Sequence, residues 1–401
     1  MNASRASAAG FTLIEALIST VIMVTVTAAV FSVLNPSRGM FQAQPEMADM
    51  QQRLRVGVDT LAHDLVMAGA GAYSGTQSGS LIGYFAPILP FRQGRTAAYD
   101  DGPGVFRTNA LTILYVPSTA AQTTIRGGMT SASSTITVNA ESGCPLTGAS
   151  VDPLCGFRAN VSNVVVYDTT GAFDTFAVTS VDVAGGQLTL QHTQQGNASK
   201  AYADHAKIVE AVRHVYYLDT SNQQLMHDDG LSAATAVLDN VVGLDFEYYG
   251  EPGPPVFRSP GVDQTVTYGP APPAPGVTQS PWAAGENCTW QMSDGQQVTR
   301  LASLGAAGPM GLVRLTAAQL TDGPWCPDAS NTNRYDADLL RIRKVRVTIR
   351  LQTGNAALRG SLTTGNAALF ANAGTATSAA RTVSDQSVRF DVSPRNMNLG
   401  R

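Results

Sequence analysis

Gly10-Phe11-Thr12-Leu13-Ile14-Glu15, followed by an apolar run to Leu34, decides how the rest of the chain is read. From Phe11 to Leu34 the residues are Phe, Leu, Ile, Val, Ala, Met and small hydroxyl residues, with a single charge at Glu15. At 1.5 Å per residue such a helix is about 36 Å long, enough to cross a hydrocarbon core of roughly 30 Å with some tilt. Residues 1–10 form a short leader with one cation, Arg5. Two cleavage points compete. An ordinary secretory signal would be cut after Ala28, in Val26-Thr27-Ala28, and the helix discarded. The other cut falls between Gly10 and Phe11, so that the helix stays. Glu15 favours the second. A carboxylate at mid-membrane costs about 2.5 to 3.5 kcal/mol on insertion scales, and a disposable signal has no use for one.

A small residue, then Phe, then Glu four positions on, then an unbroken apolar helix resembles the class III signal of type IV pilins and type II secretion pseudopilins. The resemblance implies that a prepilin peptidase reads Gly10 as the last leader residue and that Phe11 becomes an N-methylated N-terminus. It also implies that Glu15 pairs with the α-ammonium of a neighbouring subunit's Phe11. An α-amino group is cationic near neutral pH, so the two charges would neutralise each other in lipid.

The rest of the chain fits an exported protein. Among 401 residues, 26 cations against 30 anions give a net charge of −4, which is not a nucleic-acid-binding balance. With 44% hydrophobic and 14% charged residues the chain is not disordered either, and 38 Gly and 21 Pro point to β-rich structure with long loops. Asn35-Pro36-Ser37 predicts a kink or break in the helix. Beyond it Met47, Met50, Leu54, Val58, Leu61 and Leu65 recur at spacings of three and four, with Arg53, Arg55, Asp59 and Asp64 between them. This is an amphipathic helix with one apolar stripe, ending at Gly69-Ala70-Gly71, where glycine takes a left-handed cap. If continuous, the helix from Phe11 to Gly69 is about 90 Å long.

Strands are predicted at Leu111–Val116, Thr135–Val138, Val161–Tyr167, Thr175–Val183, Gln187–His192, Ile208–Leu218, Leu238–Gly250 and Gly311–Leu315. The clearest is Arg341–Leu351. There Val345, Val347, Ile349 and Leu351 point one way, and Lys344, Arg346, Thr348 and Arg350 form a basic face read as solvated. Residues 252–281 hold nine prolines and read as an extended surface loop. Thr353-Gly354-Asn355-Ala356-Ala357-Leu358 recurs as Thr364-Gly365-Asn366-Ala367-Ala368-Leu369, a duplication within a hairpin loop. The four cysteines of an exported chain predict two disulfides. Sequence proximity favours Cys144–Cys155 and Cys288–Cys326 among three pairings.

Catalytic and metal motifs are absent: there is no His-Glu-x-x-His, Walker loop, Gly-x-Ser-x-Gly, EF-hand loop or Cys-x-x-Cys. His63, His192, His205, His214 and His227 are dispersed, and His63 reads as a solvated helix residue. Asp204-His205 and His227-Asp228-Asp229 read as turn and surface groups rather than metal ligands. Asp219, Asp228 and Asp229 are the acids a calcium site would draw on. No enzyme activity, cofactor or metal is expected.

Several further pieces resemble PilW-type minor pilins. They are Met67-Ala68-Gly69 after Asp64, the Tyr216-Tyr217 strand, the Asp239-Asn240-Val241-Val242 strand ending in Tyr249-Gly250, and the tail from Val388 to Asn398 with Arg395-Asn396. That family implies an α+β, pilin-like fold in which a long N-terminal membrane helix packs on a β-rich head of antiparallel strands with long loops. The parts are the leader 1–10, a membrane and filament-core helix 11–34, its amphipathic continuation 35–71 and the head 72–401. The expected partners are other minor and major pilins, prepilin peptidase, the inner-membrane assembly platform and membrane lipid, with no nucleic acid. The protein would wait in the inner membrane with its head in the periplasm and then join a surface pilus, in its priming or tip complex. A type II secretion pseudopilin of the J type is an alternative, and so is an anchored exported adhesin or hydrolase with a pilin-like leader.

Overall fold

A computed structural model describes residues 12–398, apart from 72, 75–76, 79, 94–100, 118–120, 134, 140–143, 169–170, 185–186, 193–197, 255–256, 259–264, 267–288, 295, 306–310, 328–332, 361–366, 373 and 375–381. It has one long helix, α1 (Leu13–Met67), and a β-rich head of antiparallel sheets. The chain divides into two compact units, Met1–Arg53 with Gln352–Gln386, and Leu54–Leu351 with Ser387–Arg401.

α1 runs through Asn35-Pro36-Ser37 without the expected break. Pro36 lacks only its own N–H, so a single backbone bond is lost while the turns on either side keep theirs. In the first unit the helix buries Met50, and Glu46 accepts a hydrogen bond from Thr353 Oγ1. The first copy of the repeat forms a short 3₁₀ turn, Ala356–Leu358, whose cap Asn355 accepts from the Ala357 N–H at 3.0 Å. Leu358 and Val383 are buried and joined by a Val383 N–H to Leu358 C=O bond of 2.6 Å. The start of the second copy, residues 364–366, lies outside the described residues.

In the second unit Leu54, Leu61, Leu65 and Ala68 form the buried stripe of α1. Met47, in the first unit and grouped with that stripe by periodicity, is 40% exposed. Gly57 lies so close to the sheet that an added Cβ would stand 2.3 Å from Leu238 Cδ1, so any side chain there makes Leu238 shift. The helix ends as expected. Gly69 takes φ +78°, and its N–H donates to Leu114 C=O at 3.0 Å while the Val116 N–H donates to Ala70 C=O at 2.8 Å.

The main strands, in order, are β1 (Ile88–Leu89), β2 (Ala110–Tyr115), β3 (Gln122–Thr124), β4 (Thr135–Val138), β5 (Asn163–Tyr167), β6 (Phe173–Ala184), β7 (Gln187–His192), β8 (Lys207–Glu210), β9 (Val212–Asp219), β10 (Gln224–Asp228), β11 (Thr235–Asp239), β12 (Val241–Gly250), β13 (Val313–Leu315), β14 (Ile342–Leu351) and β15 (Gln386–Val392). They make three sheets, in the orders β11-β10-β9-β2-β1, β3-β8-β5-β6-β7-β4 and β13-β12-β14-β15. The second closes on itself. Its edges β3 and β4 meet through an Ile125–Val138 bridge and an Arg126 N–H to Thr137 C=O bond of 2.8 Å. Closure removes the exposed edges of this small barrel. Its interior holds Ile125, Ile136, Phe157, Val164, Val166, Leu190 and Ile208, with the Cys144–Cys155 disulfide at its margin.

Two runs read as single strands are each split between sheets. Ala211 separates β8 of the barrel from β9 of the five-stranded sheet. Asn240, at φ +59°, separates β11 from β12. Asparagine tolerates that left-handed conformation, so the chain turns there and enters the four-stranded sheet. In that sheet Leu244, Phe246 and Tyr248 face Ile349, Val347 and Val345 across the β12–β14 pair, all buried. The Pro-rich segment contributes one described hairpin, Phe257–Arg258 with Thr265–Val266.

Candidate functional site

Leu13–Ser32 is long and apolar enough to cross a membrane, with a mean hydropathy of 2.2, and none of it is buried. Leu13, Ile14, Leu17, Val21, Met23, Val24 and Phe31 all project outward. Four of the hydroxyls on this stretch are bonded to the helix's own carbonyls. Ser19, Thr20, Thr25 and Ser32 donate to the carbonyls of Ala16, Leu17, Val21 and Ala29 at 2.7 to 2.9 Å. A helix that bonds its own backbone and turns hydroxyls back onto its carbonyls is suited to hydrocarbon.

Glu15 sits in the first turn. Its Oε2 accepts the Thr12 N–H at 3.0 Å and the Thr12 hydroxyl at 2.9 Å, while the Thr12 Oγ1 accepts the Glu15 N–H at 3.3 Å. This is a reciprocal capping box, which satisfies two helix-start donors. The Thr-x-x-Glu spacing shows it in the sequence, where Glu15 is otherwise read only through its charge. Gly10 and Phe11, the residues expected at the leader cleavage and methylation point, lie outside the described residues.

A second polar constellation lies where the end of α1 meets β2, β9 and β10. Asp64, placed by periodicity among the polar residues of the helix, is 7% exposed. It accepts a hydrogen bond on Oδ2 from Tyr216 OH, and the same oxygen lies 3.6 Å from His214 Nε2. Tyr115 OH lies 3.2 Å from His214 Nε2, and His214 Nδ1 faces His227 Nε2 at 2.5 Å. Burial pushes both imidazoles below their ordinary pKa, against the pull of the Asp64 carboxylate. Burial, with Asp64 adding to it, raises the Tyr115 phenol to about 12 and the Tyr216 phenol further still. His63 is exposed, as the sequence implies, and His205 pairs with its neighbour Asp204 at 3.1 Å. Asp219, Asp228 and Asp229 hold turns, accepting from the backbone N–H groups of Ser221, Gly230 and Leu231 at 2.6 to 2.9 Å.

The basic face of β14 differs from its expected solvated state. Lys344 on that face is buried, and so is Arg343, which alternation places on the other face. Arg343 pairs with Glu251 at 3.3 Å, and Lys344 and Arg346 converge on Asp391 at 3.1 and 2.7 Å. These charge-assisted bonds hold Asp391 down at about 2. Tyr249 completes the group, with Lys344 Nζ 4.3 Å from its ring centroid. Alternation reveals which cations share a face, but not the acid, Asp391, brought to it.

Arg341 is wholly buried. It pairs with Asp338 and donates to Pro252 C=O at 2.8 Å, Gly253 C=O at 2.7 Å and Ala302 C=O at 2.6 Å. One guanidinium thus fastens both ends of the segment that contains the proline-rich run. Asp174 is likewise enclosed. It accepts from the Ser199 N–H and hydroxyl and from Tyr202 OH at 2.7 to 3.0 Å, and from Asn333. Cys144 and Cys155 form the expected disulfide. Cys326 is also disulfide-bonded, and its expected partner Cys288 lies outside the described residues.

No protein-family model, curated protein or solved structure matches the chain.

Proposed function

We propose that this protein is a non-enzymatic minor pilin of the PilW type, which works by assembly into a type IV pilus. The observation that carries this reading is a single helix, α1, with two surfaces. Residues Leu13–Ser32 are apolar and exposed, and Leu54–Met67 of the same helix carry the buried stripe of a β-rich unit. An apolar helix left bare in one chain is stabilised by lipid before assembly and by the helices of other pilins afterwards. Prepilin peptidase cuts between Gly10 and Phe11, and the new Phe11 ammonium of one subunit meets Glu15 of the next. Both capping bonds of Glu15 fall on Oε2, so Oε1 is the oxygen that takes this cation. A bulky head suits a priming or tip position better than a repeating shaft position.

The test is Glu15→Leu in the native host. The variant is expected in the inner membrane at normal level and missing from sheared surface filaments. Wild-type amounts in the filament fraction would contradict the assembly role of Glu15. Loss of secretion with pili intact on deletion of the chain would move the reading to a secretion pseudopilin.

A further inference from the structure

Asp64, His214 and His227 present ligand atoms that all lie within 4.8 Å of one another. They come from three regular elements, the last turns of α1 and the neighbouring strands β9 and β10. We propose that these three side chains bind a divalent transition-metal ion of the Zn2+ class, which ties the end of the helix to the five-stranded sheet.

The donor set is the first argument. Two imidazoles and a carboxylate suit a borderline divalent ion; the all-oxygen shell of Ca2+ or Mg2+ and the thiolate shell of Cu(I) do not match it. The facing nitrogens are the second. His214 Nδ1 and His227 Nε2 point at each other across 2.5 Å, so a proton or a cation has to lie between their lone pairs. A proton between the two nitrogens engages the imidazoles alone and leaves Asp64 to Tyr216 and the Nε2 side of His214, whereas an ion draws on all three groups. With metal–nitrogen bonds of about 2.0 to 2.1 Å, tetrahedral nitrogens stand about 3.3 Å apart, so the rings need to part by less than 1 Å.

The surrounding groups form a supporting shell. Tyr115 OH lies on His214 Nε2, which orients the ring so that Nδ1 is the nitrogen turned toward His227. Tyr216 OH fixes the Asp64 carboxylate. Partners of this kind, on the far side of a ligand, are what set ligand orientation at metal centres. Asp228 and Asp229 add negative field at His227, and His63 on α1 is the opposing cation if protonated.

The test uses the full chain in detergent, stripped with a chelator and titrated with ZnCl2 at pH 7.5 by calorimetry. One ion per chain is expected. The double variant His214→Gln, His227→Gln should lose at least 100-fold in affinity, and Tyr115→Phe should lose roughly tenfold while still binding. Because the double variant replaces buried groups, the wild type supplies an independent readout. X-ray absorption of the Zn2+-loaded protein should show two nitrogen donors at about 2.0 to 2.1 Å. No saturable binding by the folded wild type, undiminished binding by a folded double variant, or an all-oxygen shell would each overturn the proposal.

Discussion

Replacing Arg341 by Met is the sharpest perturbation of the head. The guanidinium is 0% exposed and serves Asp338 together with the carbonyls of Pro252, Gly253 and Ala302. Methionine fills much of the same volume and donates nothing. Asp338 is itself buried, and burial already pushes its pKa up to about 6 with the arginine beside it. Without Arg341 the acid and three carbonyls lose this donor, although the Pro252 carbonyl keeps the Leu304 N–H. Breaking one side of a buried pair costs about 3 to 5 kcal/mol, most of it from the charge left behind. Urea denaturation followed by circular dichroism should therefore show a loss of that size for Arg341→Met. Adding Asp338→Leu should restore part of it, because two apolar residues leave no orphaned charge. Limited proteolysis adds a local readout, with new cleavage expected between Pro252 and Ala302, where the arginine fastens both ends of the segment. A loss under about 1 kcal/mol, with no new cleavage in that interval, would refute the reasoning.

Three further predictions follow from separate sites. Burial pushes Asp174 up to about 6, above an unfolded value near 3.9, so its contribution is fully present below pH 4 and is lost as pH rises through 6. That amounts to about 3 kcal/mol and should appear as a falling slope of unfolding free energy between pH 4 and 6.5. Asp174→Asn should flatten the slope and lower the plateau, because an amide oxygen cannot take all the donors that converge there. Gly57→Leu should cost about 1 to 3 kcal/mol in thermal or chemical unfolding, since even its Cβ meets Leu238 at 2.3 Å. Gly57→Ala should be far milder, because roughly 1 kcal/mol of helix propensity offsets the crowding. Replacing Cys144 and Cys155 by Ser opens a loop with a sequence separation of 11 and should cost about 3 kcal/mol in the same assay.

The long helix was legible because its signals are local. The apolar run, the stripe at Leu54, Leu61 and Leu65 and the glycine at position 69 each announce themselves within a few residues. Most strands were visible for the same reason, β4 and β7 with the same ends as predicted. The sheet changes at Ala211 and Asn240 were not, because an apolar alternation runs straight across both and only tertiary pairing decides which sheet takes each half. The burial of Asp64 was hidden by the rule that assigns charged helix residues to solvent. Its partners Tyr216 and His214 lie more than a hundred residues on in the chain. The pairing of Lys344 and Arg346 with Asp391 is invisible for the same reason. His227 stands beside Asp228 and Asp229 in the sequence, but its neighbours in space are His214 and Asp64, which no spacing in the sequence indicates.

The central claim, that α1 stays on the working protein as a filament helix, is tested most directly at the mature N-terminus. Intact mass and N-terminal peptide sequencing of the protein from its native host would read it in one experiment. The account predicts a chain that begins at a methylated Phe11 and keeps Glu15 in its first turn. A mature chain beginning near Ala29 would contradict it, because the exposed apolar helix would then be discarded and the head released as a free protein.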